Sequence, residues 1–189
     1  SSAIAWNLDS AFVGGNGAGR PLGRRNVPGK IVVTKAVGAA ADTIVDDSCA
    51  QMLARLAPEC HDNAGWLANQ SCLPELIGMS VAIGTAGSHI PALKESSGEW
   101  RLLTRPIIFT EHCPVLGDED DIILVDLSRY MVGLRSEVRV DVSSHIGFQE
   151  DETYFRAIVR ADGQGSWQSA RTPDNGDTVS WLVSLAERA

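Results

Sequence analysis

The 189-residue sequence lacks most of the features on which membrane, redox or metal-binding functions are built. No apolar run approaches the roughly 18 residues that a bilayer-spanning helix needs, so we expect no membrane partner. The first residues show no signal-peptide pattern. The four cysteines include no C-x-x-C pair, which argues against a zinc knuckle or a redox motif. Together these absences favour reduced thiols in a cytosolic product.

Basic residues are also scarce, since 16 Lys and Arg stand against 24 Asp and Glu, and the formal net charge is −8. Residues 1–40 hold five basic side chains and one acidic one, a surplus of +4, so the remaining residues carry −12. An acidic body argues against nucleic-acid binding by the chain as a whole, because phosphate neutralisation needs clustered Lys and Arg. The basic stretch itself is either a solvated loop or a contact for an acidic neighbour.

Three patterns that suggest chemistry are incomplete. The glycine-rich stretch of residues 14–23 lacks the third glycine of the dinucleotide fingerprint and follows a helical pattern instead of a strand. Cys60-His61 and His112-Cys113 offer zinc-type ligands, but the two pairs lie about 50 residues apart and adjacent residues rarely point at one ion. No G-x-S-x-G sequence accompanies the serines that neighbour histidines. We therefore expect no enzyme, no cofactor and no metal.

Hydrophobic periodicity predicts helices mixed with strands but no regular βαβ alternation, which is an α+β fold. Apolar residues spaced by four, Ile4, Leu8 and Phe12, indicate that residues 1–12 form the back half of a helix. A second helix is predicted to begin near Asp42 or Thr43, where Thr43 and Asp46 fit a capping box, and to end at Pro58. A third is predicted over residues 73–79, with a proline in its first turn.

Short strands are predicted between these helices, and their segments are residues 31–34, 64–68, 102–110, 122–125 and 178–185. Arg105-Pro106 predicts that its strand starts there or lies at a sheet edge, because proline cannot donate to a ladder. Residues 83–100 are rich in glycine and serine and are predicted to form a loop.

The strongest strand signal lies in residues 137–160. Val138, Val140 and Val142 alternate with charged residues, which is typical of a half-buried strand, and a second alternation follows it. We predict that the apolar face packs on the core and that the charged face meets a partner, as in an assembly protein. The charged residues are Glu137, Arg139, Asp141, Arg156 and Arg160. Pairing between the two strands of one subunit explains these charges equally well.

Three segments in this order resemble one known family: residues 9–23, 105–135 and 138–164. The first has an aromatic-glycine turn before a Pro-Leu-Gly step, and the second has Arg-Pro, an acidic Gly-Asp turn and an apolar strand that ends in Asp. The third matches a pattern through Phe148, Asp151, Phe155, Arg156, Arg160, Asp162 and Gly163. Together they resemble the major capsid proteins of tailed bacteriophages and prophages, which have the Hong Kong 97-like fold.

The resemblance implies an axial domain over residues 34–132 and an incomplete peripheral domain formed by residues 1–33 and 133–189. It implies a structural subunit of an icosahedral shell, which assembles with copies of itself into pentamers and hexamers. Packaged DNA would be enclosed without sequence-specific binding, and scaffolding or portal proteins would be further partners. The expected location is the virion capsid, and the bacterial host cytoplasm during assembly. The five charged residues of the 137–160 segment then become candidates for subunit contacts.

In the family an N-terminal arm, an extended loop and a spine helix precede the part matched here, so the sequence resembles a C-terminal portion. By itself this portion is expected to stay monomeric or to form small oligomers. Two other functions remain open. An encapsulin-type compartment shares the fold but stores an enzyme, and a neighbouring cargo gene would favour it. A small soluble enzyme of unknown chemistry would carry a tightly bound metal or cofactor.

Overall fold

The computed structural model describes residues 2–83, 88–96, 98–135, 138–147, 149 and 151–188. Within them the chain forms three α-helices and thirteen β-strands, without regular βαβ alternation, in agreement with the α+β prediction. The helices are α1 (Ser2–Gly14), α2 (Asp46–Ala54) and α3 (Leu73–Gly78). The strands are β1 (Ile31–Val33), β2 (Ala64–Ala68), β3 (Ser80–Ile83), β4 (Ser88–Pro91), β5 (Leu93–Ser96), β6 (Glu99–Leu102), β7 (Arg105–Phe109), β8 (Ile122–Asp126), β9 (Tyr130–Leu134), β10 (Arg139–Gly147), β11 (Glu152–Ile158), β12 (Ala161–Gly165) and β13 (Leu182–Leu185).

A seven-stranded mixed sheet in the order β1-β13-β8-β2-β7-β6-β5 forms the centre of the molecule. All five residues of β8 are buried, which explains why its sequence is an apolar run and not an alternation. The sheet combines strands from residues 34–132 with β1 and β13, which lie in the segments assigned above to a peripheral domain. The division into two domains therefore stays a proposal.

The core lies on this sheet. Trp66 and Trp181 are fully buried, and the Trp66 indole Nε1 donates to the carbonyl of Leu102 at 3.0 Å. Helix α2 packs against β1 and β13 and contributes Cys49 and Met52 to the same cluster. None of the described helices is long and apolar enough to span a membrane.

The predicted start of the second helix is wrong. Helix α2 begins at Asp46, and Val45 precedes it in an extended conformation without a side-chain cap. Thr43 lies two residues before Val45, and its hydroxyl donates to the carbonyl of Ala40 at 2.9 Å. Instead of a cap, two aspartates in the first turn stabilise the helix N-terminus through their favourable interaction with the helix dipole. The helix ends at Ala54, before the proline that was expected to stop it.

The predicted loop over residues 83–100 is also wrong for the residues that the structure describes. Strands β4 and β5 and the start of β6 lie there, paired in antiparallel ladders. Each of these strands has only four residues, which is the lower limit for recognising an alternation in the sequence. Residues 84–87 and 97 lie outside the described part of the chain. The strand expected over 102–110 begins at Arg105, where the Arg-Pro pair placed it.

The start of the final strand differs less from the prediction. The final strand spans only Leu182–Leu185, because the residues before it form isolated bridges. The first and third helices and the strands β1, β2 and β8 lie where the pattern predicted them.

Beyond the central sheet, the chain runs out through β9 and β10 and returns through β11 and β12. β9 pairs with β12 and β10 pairs with β11, both antiparallel, so the two ladders follow one another along a two-stranded ribbon. The base of this ribbon is fixed to the body. The Tyr130 hydroxyl donates to the carbonyl of Leu22 at 2.9 Å, and the Leu22 amide donates to the carbonyl of Gly163 at 2.8 Å.

Candidate contact surface

The β10–β11 hairpin presents two chemically different faces. Its register places Val140 opposite Ala157 and Val142 opposite Phe155. Side chains of one face alternate with those of the other, so these four residues share one side of the ribbon. We call Val140, Val142, Phe155 and Ala157 the apolar hairpin face.

The apolar hairpin face is uncovered. Val140 and Val142 are each 60% exposed and Phe155 is 73% exposed, and Val138 just before β10 is 55% exposed. The expectation that these valines pack on the core is therefore wrong. None of the hairpin side chains that the structure describes belongs to the hydrophobic core cluster, because the ribbon leads away from the central sheet. Contiguous exposed apolar side chains of this kind mark an interaction surface.

The opposite face is charged and largely paired within the chain. The Arg156 Nη2 and Arg139 Nε atoms each lie 2.8 Å from a different carboxylate oxygen of Asp141. These hydrogen bonds, that from Arg156 foremost, hold the pKa of Asp141 below its usual value. The structure thus brings three of the predicted contact residues together. They pair across the two strands of one subunit, which was the other explanation that the sequence allowed.

The remaining two predicted contact residues are not brought into this cluster. Arg160 lies between β11 and β12, is exposed, and forms no side-chain ion pair with the described residues. Its carbonyl accepts from the Arg135 amide at 3.0 Å. Glu137 lies outside the described residues, as does Phe148 of the family pattern. The sequence did not show that the valines are the side chains left without packing partners, whereas Arg139, Asp141 and Arg156 pair with one another.

The glycine-rich stretch supports the base of the ribbon. The Gly23 amide donates to the carbonyl of Gly15 at 2.8 Å, which folds the stretch back on itself and delivers Leu22 to the ribbon. The Phe12 ring of α1 meets the Tyr130 ring edge-on at 5.9 Å between centroids. This geometry assigns the glycines a structural role in place of phosphate binding.

The cysteines have little reactivity in this environment. All four are buried and free. Burial, the main cause, raises the pKa of Cys60 and of Cys113 to about 11. Thiols with such pKa values stay protonated at neutral pH, and a protonated thiol is a poor nucleophile and metal ligand. Among the residues that the structure describes, no three His, Cys, Asp or Glu side chains are grouped so as to hold a metal ion.

Comparison with known proteins points to one family. A sequence profile described as "Phage capsid family" matches residues 1–169. The fold is similar to the capsid of an empty GTA particle, with a TM-score of 0.72 and 20% identity, and to the capsid of a native GTA particle, with 0.71 and 19%. Both matches cover 100% of this chain and 63% of the other, so the chain spans less than two thirds of those capsid chains. No curated protein matches it.

Proposed function

This chain belongs to the phage capsid family, and from that membership we propose that it is a structural, non-enzymatic subunit of a capsid shell. The observation that carries the proposal is the uncovered apolar hairpin face, because a shell subunit needs surfaces that only other copies cover. The similarity in fold to two capsid chains supports it. The capsid matches favour a shell of this kind over a small soluble enzyme or an encapsulin-type compartment.

The hairpin is built for contact and not for internal stability. A two-stranded ribbon is marginal in water unless its apolar face packs against something. Burying a Val or Phe side chain contributes about 1.5–3 kcal/mol. In a closed symmetric assembly every copy makes the same contact, so a modest gain per copy is repeated around the shell.

The finer features of the proposal come from the family. Residues 34–132 would form an axial domain, with residues 1–33 and 133–189 contributing to a peripheral one. Pentamers and hexamers would close around DNA in the virion after assembly in the host cytoplasm, with scaffolding or portal proteins as partners. Five charged residues stay proposed subunit contacts: Glu137, Arg139, Asp141, Arg156 and Arg160. Of these, Arg139, Asp141 and Arg156 lie on the side of the ribbon opposite the apolar hairpin face.

The proposal is tested by comparing two substitutions on adjacent residues of β10. Val142→Asp places a charge on the apolar hairpin face, whereas Ser143→Asp places the same charge on the opposite face. In the product of the complete reading frame, we expect hollow shells from the unchanged protein and from Ser143→Asp, and only small species from Val142→Asp. Negative-stain microscopy and sedimentation measure the outcome, and circular dichroism checks that the variants are folded.

Two results would count against the proposal. Shells formed equally well by Val142→Asp would remove the apolar hairpin face as the contact. An unchanged protein that yields only small species under assembly conditions would overturn the capsid function itself.

A further inference from the structure

An apolar groove lies where the β3–β4 hairpin meets β5 and β6. Val81, Ile90, Pro91 and Leu103 line it, together with the buried Ala92. Its volume is about 250 Å³. An apolar cavity of roughly 150 Å³ already accepts a benzene-sized group, so the groove has room for a branched aliphatic side chain.

Two cations border this groove, and among the residues that the structure describes they have weak ion-pair partners or none. Lys94 and Arg101 stand directly opposite each other in the β5–β6 register, and both line the groove. Like charges placed opposite one another across two strands are destabilising. Arg101 reaches only a Glu99 carboxylate oxygen at 3.9 Å and the Thr104 carbonyl at 3.3 Å, and Lys94 has no ion pair within the described part of the chain. The groove therefore suits a group that combines an aliphatic side chain with a carboxylate.

The same chain carries such a group at a distant place. Val115 is 59% exposed, and Asp118 is exposed and has no side-chain partner among the described residues. The Asp118 amide donates to the Val115 carbonyl at 3.2 Å, which closes a turn and brings the two side chains near each other. The two acidic residues that follow are occupied, because Lys30 pairs with Glu119 and Asp120.

The groove and this turn lie toward opposite sides of the central sheet. Strands β5 and β6 form one end of the strand order. The turn lies near the other end, since the Gly117 carbonyl accepts from the Arg188 amide at 2.8 Å, just beyond β13. The two surfaces are thus placed to join different copies in a head-to-tail manner, the arrangement that generates rings.

We propose that the groove receives the Val115–Asp118 turn of the adjacent copy within a ring of subunits. Val115 enters the apolar groove, and the Asp118 carboxylate lies between Lys94 and Arg101. This contact rests on the proposed shell function and names the surfaces that join neighbours inside one capsomer, separate from the apolar hairpin face.

Chemical crosslinking between copies tests the contact directly. Chains carrying Ser96→Cys, beside the groove, are mixed with chains carrying Pro114→Cys, beside the turn, and treated with a short bifunctional thiol reagent. The native cysteines are buried, so their background reaction is low. We expect a covalent heterodimer from this pair. The matched control is Glu95→Cys with Pro114→Cys, because Glu95 lies on the other face of β5, and no heterodimer is expected from it.

Charge reversal then identifies the occupant. Lys94→Glu with Arg101→Glu is expected to abolish the crosslink, and adding Asp118→Lys to the partner chain is expected to restore it. Equal crosslinking of the control, or failure of Asp118→Lys to restore the reaction, overturns the proposal. Shells that form without this crosslink overturn this contact alone, whereas a crosslink in a protein that never forms shells supports the contact and contradicts the shell function.

Discussion

At the scale of single residues, the acidic turn before β8 is more than a solvated turn. Asp121 and Arg188 are both fully buried and form an ion pair. Asp121 also accepts from the Gly117 amide at 3.1 Å, and the Arg188 carbonyl accepts from the Asp42 amide at 2.9 Å. One charge pair thus holds the last described residues against the turn and the segment before α2.

We expect Arg188→Met to lower the free energy of unfolding by about 3–5 kcal/mol, because it leaves the Asp121 carboxylate buried without a counter-charge. Urea denaturation followed by fluorescence of the tryptophans measures this loss. Arg160→Met is the control, since it removes an exposed arginine with no ion pair in the described structure, and its effect is expected within about 0.5 kcal/mol. Equal losses for both variants would show that the buried pair does not hold the fold.

At the scale of elements, the glycine-rich stretch acts as a joint between α1 and the ribbon. The Gly15 amide still bonds to the Ala11 carbonyl at 2.9 Å, as in a helix, and the chain then folds back until Gly23 reaches Gly15. A Cβ atom on Gly23 would overlap the backbone of Gly15 and Val13. The close approach of two backbones, and not phosphate binding, explains the glycines here.

Two alanine substitutions in this stretch are expected to differ in sign. Gly23→Ala forces the backbones apart and is expected to cost about 1–3 kcal/mol, as overpacking usually does. Gly14→Ala, where a Cβ meets nothing within 4 Å, is expected to be neutral or to stabilise α1 by about 0.5–1 kcal/mol. Thermal melts followed by circular dichroism compare the two. Similar melting temperatures for both variants would contradict the tight packing of the joint.

At the scale of the whole molecule, the net charge opposes association between copies, whereas the proposed contact surfaces favour it. These 189 residues carry a formal charge of −8 at pH 7, so this part of each copy repels the same part of its neighbours at long range. The apolar hairpin face contributes attraction that does not depend on salt, whereas the proposed contact between Asp118 and the two groove cations does. Salt therefore separates the two kinds of contact.

We expect assembly of the complete protein to accelerate when ionic strength rises from about 0.01 M to 0.15 M, because the screening length falls from about 30 Å to 8 Å. Light scattering measures the rate. Over the same range the yield of the Ser96→Cys with Pro114→Cys crosslink from unassembled chains is expected to fall, since its charge pairing is screened. Assembly that slows with salt would show that attraction between charges outweighs the net repulsion.

Local patterns were enough to predict much of the fold. The apolar run of β8 indicated a buried strand, and the spacing of Ile4, Leu8 and Phe12 indicated α1, because both signals lie within one element. The predicted helix start at Thr43 was wrong because a residue pattern that permits a capping box does not require one, and in the folded chain Val45 precedes α2. The strands between residues 88 and 102 were not predicted because each has only four residues, too few for a clear periodic pattern.

For the contact surface, the sequence by itself determined that β10 and β11 are strands with one apolar and one charged face. The alternation of Val140 and Val142 with Arg139 and Asp141 is a local property, read directly from the order of residues. Only the tertiary structure decided which face is left for a partner. Pairing of Asp141 with Arg156 and exposure of the valines both depend on strand register and on the ribbon leaving the core, and these are non-local contacts that no single segment encodes.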